Sequence, residues 1–190
     1  MGIEERSDLP LVGRSKNPKD FSGGGQRGRM DFPPPEALRA STSPQGGGLV
    51  VIEIARSWIG TPYVHQASVK GVGCDCLGLL RGVWRELKGF EPEDAPPYSP
   101  DWAEATGAET LHAAMARHLV PADRAAIAPG DIALFRMAPR GPAKHCGIVA
   151  ARGGALTLIH ARQNKRVSEE AFSSFWSRKL AFAFRLHAIE

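Results

Sequence analysis

Apolar positions along the chain keep a helical spacing in its first folded stretch and an alternating one later. Val51, Ile54, Ala55 and Trp58 mark one helix, which Gly60 and Pro62 bring to an end. Gly71-Val72-Gly73 leads into a second helix from about Cys76, with Leu77, Leu80, Trp84 and Leu87 on its buried face and Gly89 as its stop. Residues 92–100 are Pro-rich and read as a loop, and a third helix over residues 108–119 buries Leu111, Met115 and Leu119. After Pro129-Gly130 the period changes, and strands are expected over residues 131–136, 145–152 and 155–162. Gly153-Gly154 supplies the tight turn between the last two. Residues 168–176 are expected to form a short helix. In the final strand Leu180, Phe182, Phe184 and Leu186 face one way, with Ala181, Ala183, Arg185 and His187 opposite. Helices first and an antiparallel sheet afterwards define an α+β domain over residues 49–190.

Residues 1–48 carry no such periodicity. They contain nine Gly and six Pro, too little apolar material to offset chain entropy, and are expected to be disordered or extended. Net charge is +4, and seventeen Lys/Arg against fourteen Asp/Glu in the remainder account for most of it. This mild balance suits anionic partners such as cell-wall polymer or nucleic acid and discriminates poorly between them. A basic stripe interleaved with aromatics is missing, so nucleic acid is not an expected partner. No run of about 18 apolar residues occurs, so no membrane-spanning helix is expected. The N-terminal residues lack the apolar core of a secretory signal, which points to synthesis in the cytoplasm.

The three cysteines, Cys74, Cys76 and Cys146, are odd in number and two are separated by one residue, so they read as free thiols rather than a disulfide framework. Cys76 falls where a loop becomes a helix, with Asp75 as a good N-cap. Partial positive charge from the first-turn amides favours a thiolate there, and the same amides can hold a developing oxyanion. The commonest fate of a free cysteine, a small buried hydrophobe, is the competing reading, and it is the one expected for Cys74 and Cys146. A base is available on the hairpin. If Gly153-Gly154 form a two-residue turn, Gly147 lies opposite His160, and His145 shares that face as a diagonal neighbour. Gly147 leaves room for two imidazoles, so one can orient the other. His145, at the strand's start, is the better base, and His160 the better orienter. Cys74, Cys76, His145, Cys146 and His160 are also zinc-ligand types. A Cys-x-Cys pair is shorter than the usual structural-zinc knuckle, however, and neither a metal nor a cofactor is expected.

Gly60-Thr61-Pro62-Tyr63, Asp75-Cys76-Leu77-Gly78-Leu79, Pro129-Gly130-Asp131, His145-Cys146-Gly147-Ile148-Val149 and Ile159-His160-Ala161 together resemble the NlpC-type cell-wall cysteine peptidases, in order and spacing. The resemblance covers residues 50–187. It implies a papain-like fold with a Cys-His-His triad, made of Cys76 as nucleophile, His145 as general base and His160 as third member. It implies hydrolysis of peptidoglycan stem peptides, usually between D-glutamate and a diamino acid. Tyr63 is then placed beside the thiol and Asp75 near the free amine of the stem peptide. Leu77 stands where the family commonly has serine, and His65-Gln66 where two glycines often follow the tyrosine. These variants resemble the branch associated with tails of phages and gene transfer particles. That branch implies tail-tip proteins as partners and delivery to the cell envelope by a particle. Two other readings use the same residues: a thiol amidase or acyltransferase acting on another amide or ester, and an inactive structural tail-tip protein.

Overall fold

The computed structural model describes residues 44–99 and 107–186, all within the compact unit Pro33–Glu190. Expectations for residues 1–43 and for His187 lie outside the described residues. Helix α1, Pro44–Ser57, starts ahead of Leu49, the expected beginning of the folded part. It buries Val51, Ile52 and Ala55, and Trp58 follows at its end. Helix α2, Cys76–Lys88, starts at its expected residue and stops at Gly89, whose φ of 84° is left-handed and whose N–H closes on the Arg85 carbonyl.

Helices α1 and α2 meet closely through one glycine. A Cβ on Gly82 would lie 2.1 Å from the Trp58 ring, and the Trp58 indole is held by its N–H to Glu86 at 2.7 Å. Because α2 packs against α1 on one side and the sheet on another, its fully buried stripe is Leu79, Leu80 and Val83. Of the residues expected on that stripe, Leu77, Trp84 and Leu87 are only half-buried. A short antiparallel pair, β1 (Ser68–Val69) and β2 (Gly73–Cys74), precedes α2. Helix α3, Thr110–His118, buries Leu111 and Met115, with Leu119 beyond it.

The main sheet contains β3 (Val120–Ala122), β4 (Ile132–Phe135), β5 (His145–Arg152), β6 (Ala155–His160), β7 (Ser168–Ala171) and β8 (Leu180–Arg185). Its spatial order is β3-β8-β4-β5-β6-β7, antiparallel throughout. Gly153 and Gly154 both have positive φ, 58° and 81°, as a two-residue turn of the primed type requires, and Arg152 pairs with Ala155 across it. One face, with Ile132, Leu134, Cys146, Ile148 and Ile159, packs under α1, α2 and α3. The other, with Ala133, Phe135, Val149 and Leu158, is covered by Trp176 from α4 (Ser174–Lys179).

Two expectations are corrected. Residues 168–176 are not one helix: β7 forms first, since Ser168 and Glu170 pair with His160 and Leu158 and satisfy the open backbone of β6. The turn into α4 follows. In β8 the alternation breaks at a bulge, where Phe135 pairs with Leu180 but Leu134 pairs with Phe182. Leu180 therefore joins Phe135 and Trp176 on the far face, while Phe182 and Phe184 stay under the helices.

Strand β7 alternates too, and its two acids serve opposite faces. Glu169 turns toward α1, where it accepts from Arg56 Nε at 3.0 Å and Thr157 Oγ1 at 2.7 Å, with Arg152 at 2.8 Å. Arg56 also donates to the Ala151 carbonyl at 2.9 Å, so one guanidinium ties α1 to the far half of the sheet. The hydrogen bond from Arg56, with help from Thr157, holds the Glu169 carboxyl down at about 2, against the burial that would raise it. Its stabilising contribution is present in full above the unfolded value of 4.5 and is lost as pH falls toward 2. Urea unfolding of Glu169→Gln should show a deficit of about 1–3 kcal/mol at neutral pH. The deficit should vanish as pH approaches 2, and a deficit independent of pH would contradict the role of the charge.

Candidate active site

Cys76 is the first residue of α2, and its position is set by the residue before it. Asp75 is extended (φ −99°), 2% exposed, and caps the helix by accepting from the Gly78 amide at 2.7 Å. Its other oxygen accepts from the Gln66 amide at 2.7 Å and the Tyr98 hydroxyl at 2.5 Å, with His65 Nδ1 3.5 Å away. A Cβ on Gly78 would lie 1.8 Å from the Ala67 carbonyl oxygen, so the first turn of α2 is held tight against the chain leading into β1. With Gly78 N–H committed to Asp75, helical geometry leaves the Cys76 and Leu77 amides directed beyond the helix start.

That start abuts the first residues of β5. Cys146 Sγ donates to the Cys76 carbonyl at 3.3 Å, and Cys76 Sγ lies 3.9 Å from the Lys144 carbonyl. His145, between those two residues, lines the same cavity as the Cys76 thiol. Hydrogen bonding from the Cys146 thiol, followed by hydrogen bonding and positive charge from His145, holds the Cys76 thiol well below its ordinary value, against the opposing effect of burial. The Cys146 thiol moves the other way, raised by its bond to Cys76 and by burial, and stays a protonated donor. Cys74 is fully buried and pushed up to about 12 by that burial, which makes it inert.

His145 Nε2 meets His160 Nδ1 at 2.9 Å. The hairpin register produces this contact: Ile148 pairs with Ile159, so Gly147 falls opposite His160, and a Cβ on Gly147 would lie 3.0 Å from the His160 Cβ. Burial, then the neighbouring His145 and Arg162, pull the His160 ring down to about 3, so it is neutral in ordinary solution. Trp176 stacks on His145 with centroids 5.5 Å apart and stands edge-on to His160 at 4.8 Å.

The thiol and the base open onto a cavity of about 330 Å³ lined by residues that include Tyr63, Asp75, Cys76, Tyr98, His145 and Arg162. Tyr63 is half-buried beside the thiol, its phenol pushed up to about 12 by burial and by the negative charge of Asp75 and Cys76. All five residues singled out in the sequence, Cys76, His145, His160, Tyr63 and Asp75, are thus gathered at one place, with His160 behind the cavity wall. Asp75 borders the cavity with its oxygens already engaged. Tyr98, Trp176 and Cys146 were not singled out for the site. Tyr98 sits in a Pro-rich loop and Trp176 in a segment read as plain helix, so neither had a local signal. Cys146, read as a packing residue, had one: it adjoins His145 in sequence.

A thiolate at a helix start, a base in reach and an orienter behind it can perform nucleophilic acyl transfer. No protein-family model matches the chain. Over 145 residues it is 28% identical to the gamma-DL-glutamyl hydrolase of Bacillus subtilis, a match covering 76% of this chain and 30% of that protein. The chain thus spans less than a third of the length of that curated relative. Its fold is similar to the NlpC/p60 domain of the peptidoglycan hydrolase SagA, with TM-score 0.50 and 24% identity over 73% of this chain and 98% of that one. It is likewise similar to an NlpC/p60 family protein from Bacillus cereus, with TM-score 0.51 and 18% identity over 75% and 40% of the two chains. The fold is therefore the papain-like fold of NlpC/p60 domains.

The electrostatics make a prediction that needs no substrate. Alkylation of Cys76 by iodoacetamide, followed against pH, should inflect well below the ~8.5 of a free thiol. Cys146→Ala and His145→Ala should each move that inflection upward, because each removes a group that favours the thiolate. An inflection in the native protein at or above the free-thiol value would contradict the assignment.

Proposed function

We propose that the chain is a cysteine endopeptidase of the NlpC/p60 kind that hydrolyses peptidoglycan stem peptides, at the bond joining D-glutamate to a diamino acid. The observation that carries this reading is the line of Cys76, His145 and His160, with the 2.9 Å contact between the two rings. Cys76 Sγ attacks the scissile carbonyl carbon, and its oxygen, taking up the electron pair, is held by the amides at the start of α2. His145, carrying the proton, delivers it to the leaving amine as the C–N bond breaks and the acyl-thioester remains. It then takes a proton from water, whose oxygen attacks the thioester and releases the acid and the free thiol.

The bond assignment is supported by the similarity to a gamma-DL-glutamyl hydrolase and by the lining of the cavity. Lys144 and Arg162, both in that lining, suit the carboxylates of a D-glutamyl-diamino acid unit. Asp75, in the same lining, supplies negative charge for the free amine of the stem peptide, relayed through the Tyr98 hydroxyl that it holds. Burial and that bond raise the Tyr98 phenol, so its oxygen faces the amine as a neutral acceptor. Tyr63 closes the space beside the thiol. Delivery by a phage-like tail, with tail-tip proteins as partners and the cell envelope as place of action, is part of the same reading. It is supported by Leu77 and His65-Gln66, the residues that resemble the tail-associated branch.

Digestion of purified peptidoglycan followed by mass spectrometry of the fragments should yield termini at D-glutamate and at the free diamino acid. Cys76→Ala should lower the rate by more than ~10³-fold. Cleavage at the sugar-to-peptide amide, or hydrolysis undiminished in Cys76→Ala, would refute the reading.

A further inference from the structure

A neutral imidazole has one proton for two nitrogens, and at His160 its placement decides what His145 can do. If His145 is to accept a proton from Cys76 on Nδ1, its Nε2 must carry a hydrogen and donate it to His160. His160 Nδ1 must then be bare, and its hydrogen must sit on Nε2. The His160 ring is 0% exposed, and Nε2 has no aligned hydrogen bond among the described residues. The group facing it is Glu170, whose Oε1 stands 3.1 Å away.

Glu170 is itself held in place. The Trp176 indole N–H donates to the same oxygen at 2.7 Å, and Arg162 Nη1 lies 3.6 Å from it. Trp176 in turn stacks on His145 and stands against His160, with the Arg162 guanidinium 5.9 Å above its ring. One carboxylate oxygen therefore touches the orienting histidine and the indole that flanks both imidazoles. The backbone supplies this arrangement through alternation: Glu170 pairs with Leu158 and Ser168 with His160, so Glu170 and His160 share the face turned away from α1.

We propose that Glu170 is a positioning residue for the reacting pair, selecting the tautomer of His160 with hydrogen on Nε2 and, through Trp176, fixing the plane of His145. A carboxylate acceptor beside Nε2 favours the hydrogen there, as charged acceptors favour the donors they face. His160 Nδ1 is then free to accept from His145 Nε2, and His145 Nδ1 is left for the Cys76 proton. Among the described residues, the titratable side chains set against His160 include His145, Arg162 and Glu170, and of these three Glu170 is the carboxyl. The inference rests on Cys76 and His145 being the reacting pair, but not on which bond they attack.

The test uses the full chain and two readouts. Long-range nitrogen–proton correlation spectra of ¹⁵N-labelled protein should show His160 protonated on Nε2 and bare on Nδ1 between about pH 6 and 8. In Glu170→Gln, which keeps an acceptor for Trp176 but can offer a donor to His160, that preference should be lost. The inflection for iodoacetamide alkylation of Cys76 should also rise by about one pH unit, a tenfold slowing on its acid side. A native His160 protonated on Nδ1 would overturn the proposal without any variant. So would a Glu170→Gln protein with unchanged tautomer and alkylation profile, whatever its thermal stability. If instead the proposed substrate is wrong, the native protein fails to cut stem peptides while both readouts stay as described.

Discussion

The start of helix α2 rests on the start of strand β5, and the site depends on that junction. The strand presents successive side chains to opposite faces, so Cys146 belongs to the helix side and His145 to the far side. Only where the strand begins can one group from the helix meet both. The Cys146 contact to the Cys76 carbonyl and the approach of the Cys76 sulfur to Lys144 fix that meeting point. Asp75 fixes the other side of the junction, because its carboxylate joins the first turn of α2 to Gln66 and Tyr98. The thiol is thus placed by backbone contacts on both flanks, and its electrostatics follow from where it has been put.

Behind the junction the sheet works as a register device. A two-residue glycine turn sets the pairing of β5 with β6, and the pairing brings His160 opposite the space left by Gly147. A slip of one residue would turn His160 toward the helices and Ile159 toward Trp176. Strand β7 extends the logic by sending Glu169 to Arg56 on α1 and Glu170 to Trp176 and His160. Two adjacent acids thereby divide between stability and the site.

Much of this was legible in the residues. Asp75 before an apolar helix, the Gly153-Gly154 turn and the spacing from His145 to His160 are local or near-local signals, and each carried its geometry. Elements that depend on partners distant in sequence were not legible. Residues 168–171 have little strand character of their own and are strand because β6 needs a neighbour. The bulge at Leu180 answers to Phe135 across β4, and no alternation within the final strand contains that information. The α2 stripe shifted because Trp58 fills the notch at Gly82, a contact between two helices. At the site, Tyr98 and Trp176 are brought in by loops and a short helix, whose sequences announce only a turn. The substrate was not legible from physics at all, and rests on resemblance to known cell-wall peptidases.

On the proposed function, Cys76 forms a covalent acyl intermediate with a peptide substrate. Acid-quenching the protein during turnover of a synthetic stem peptide, and measuring the intact and digested masses, tests it directly. A mass increase equal to the acyl portion is expected, confined to the peptide containing Cys76 and abolished by hydroxylamine, which cleaves thioesters. Steady hydrolysis with no adduct on Cys76 at any quench time, in a protein whose Cys76→Ala variant still turns over, would contradict it.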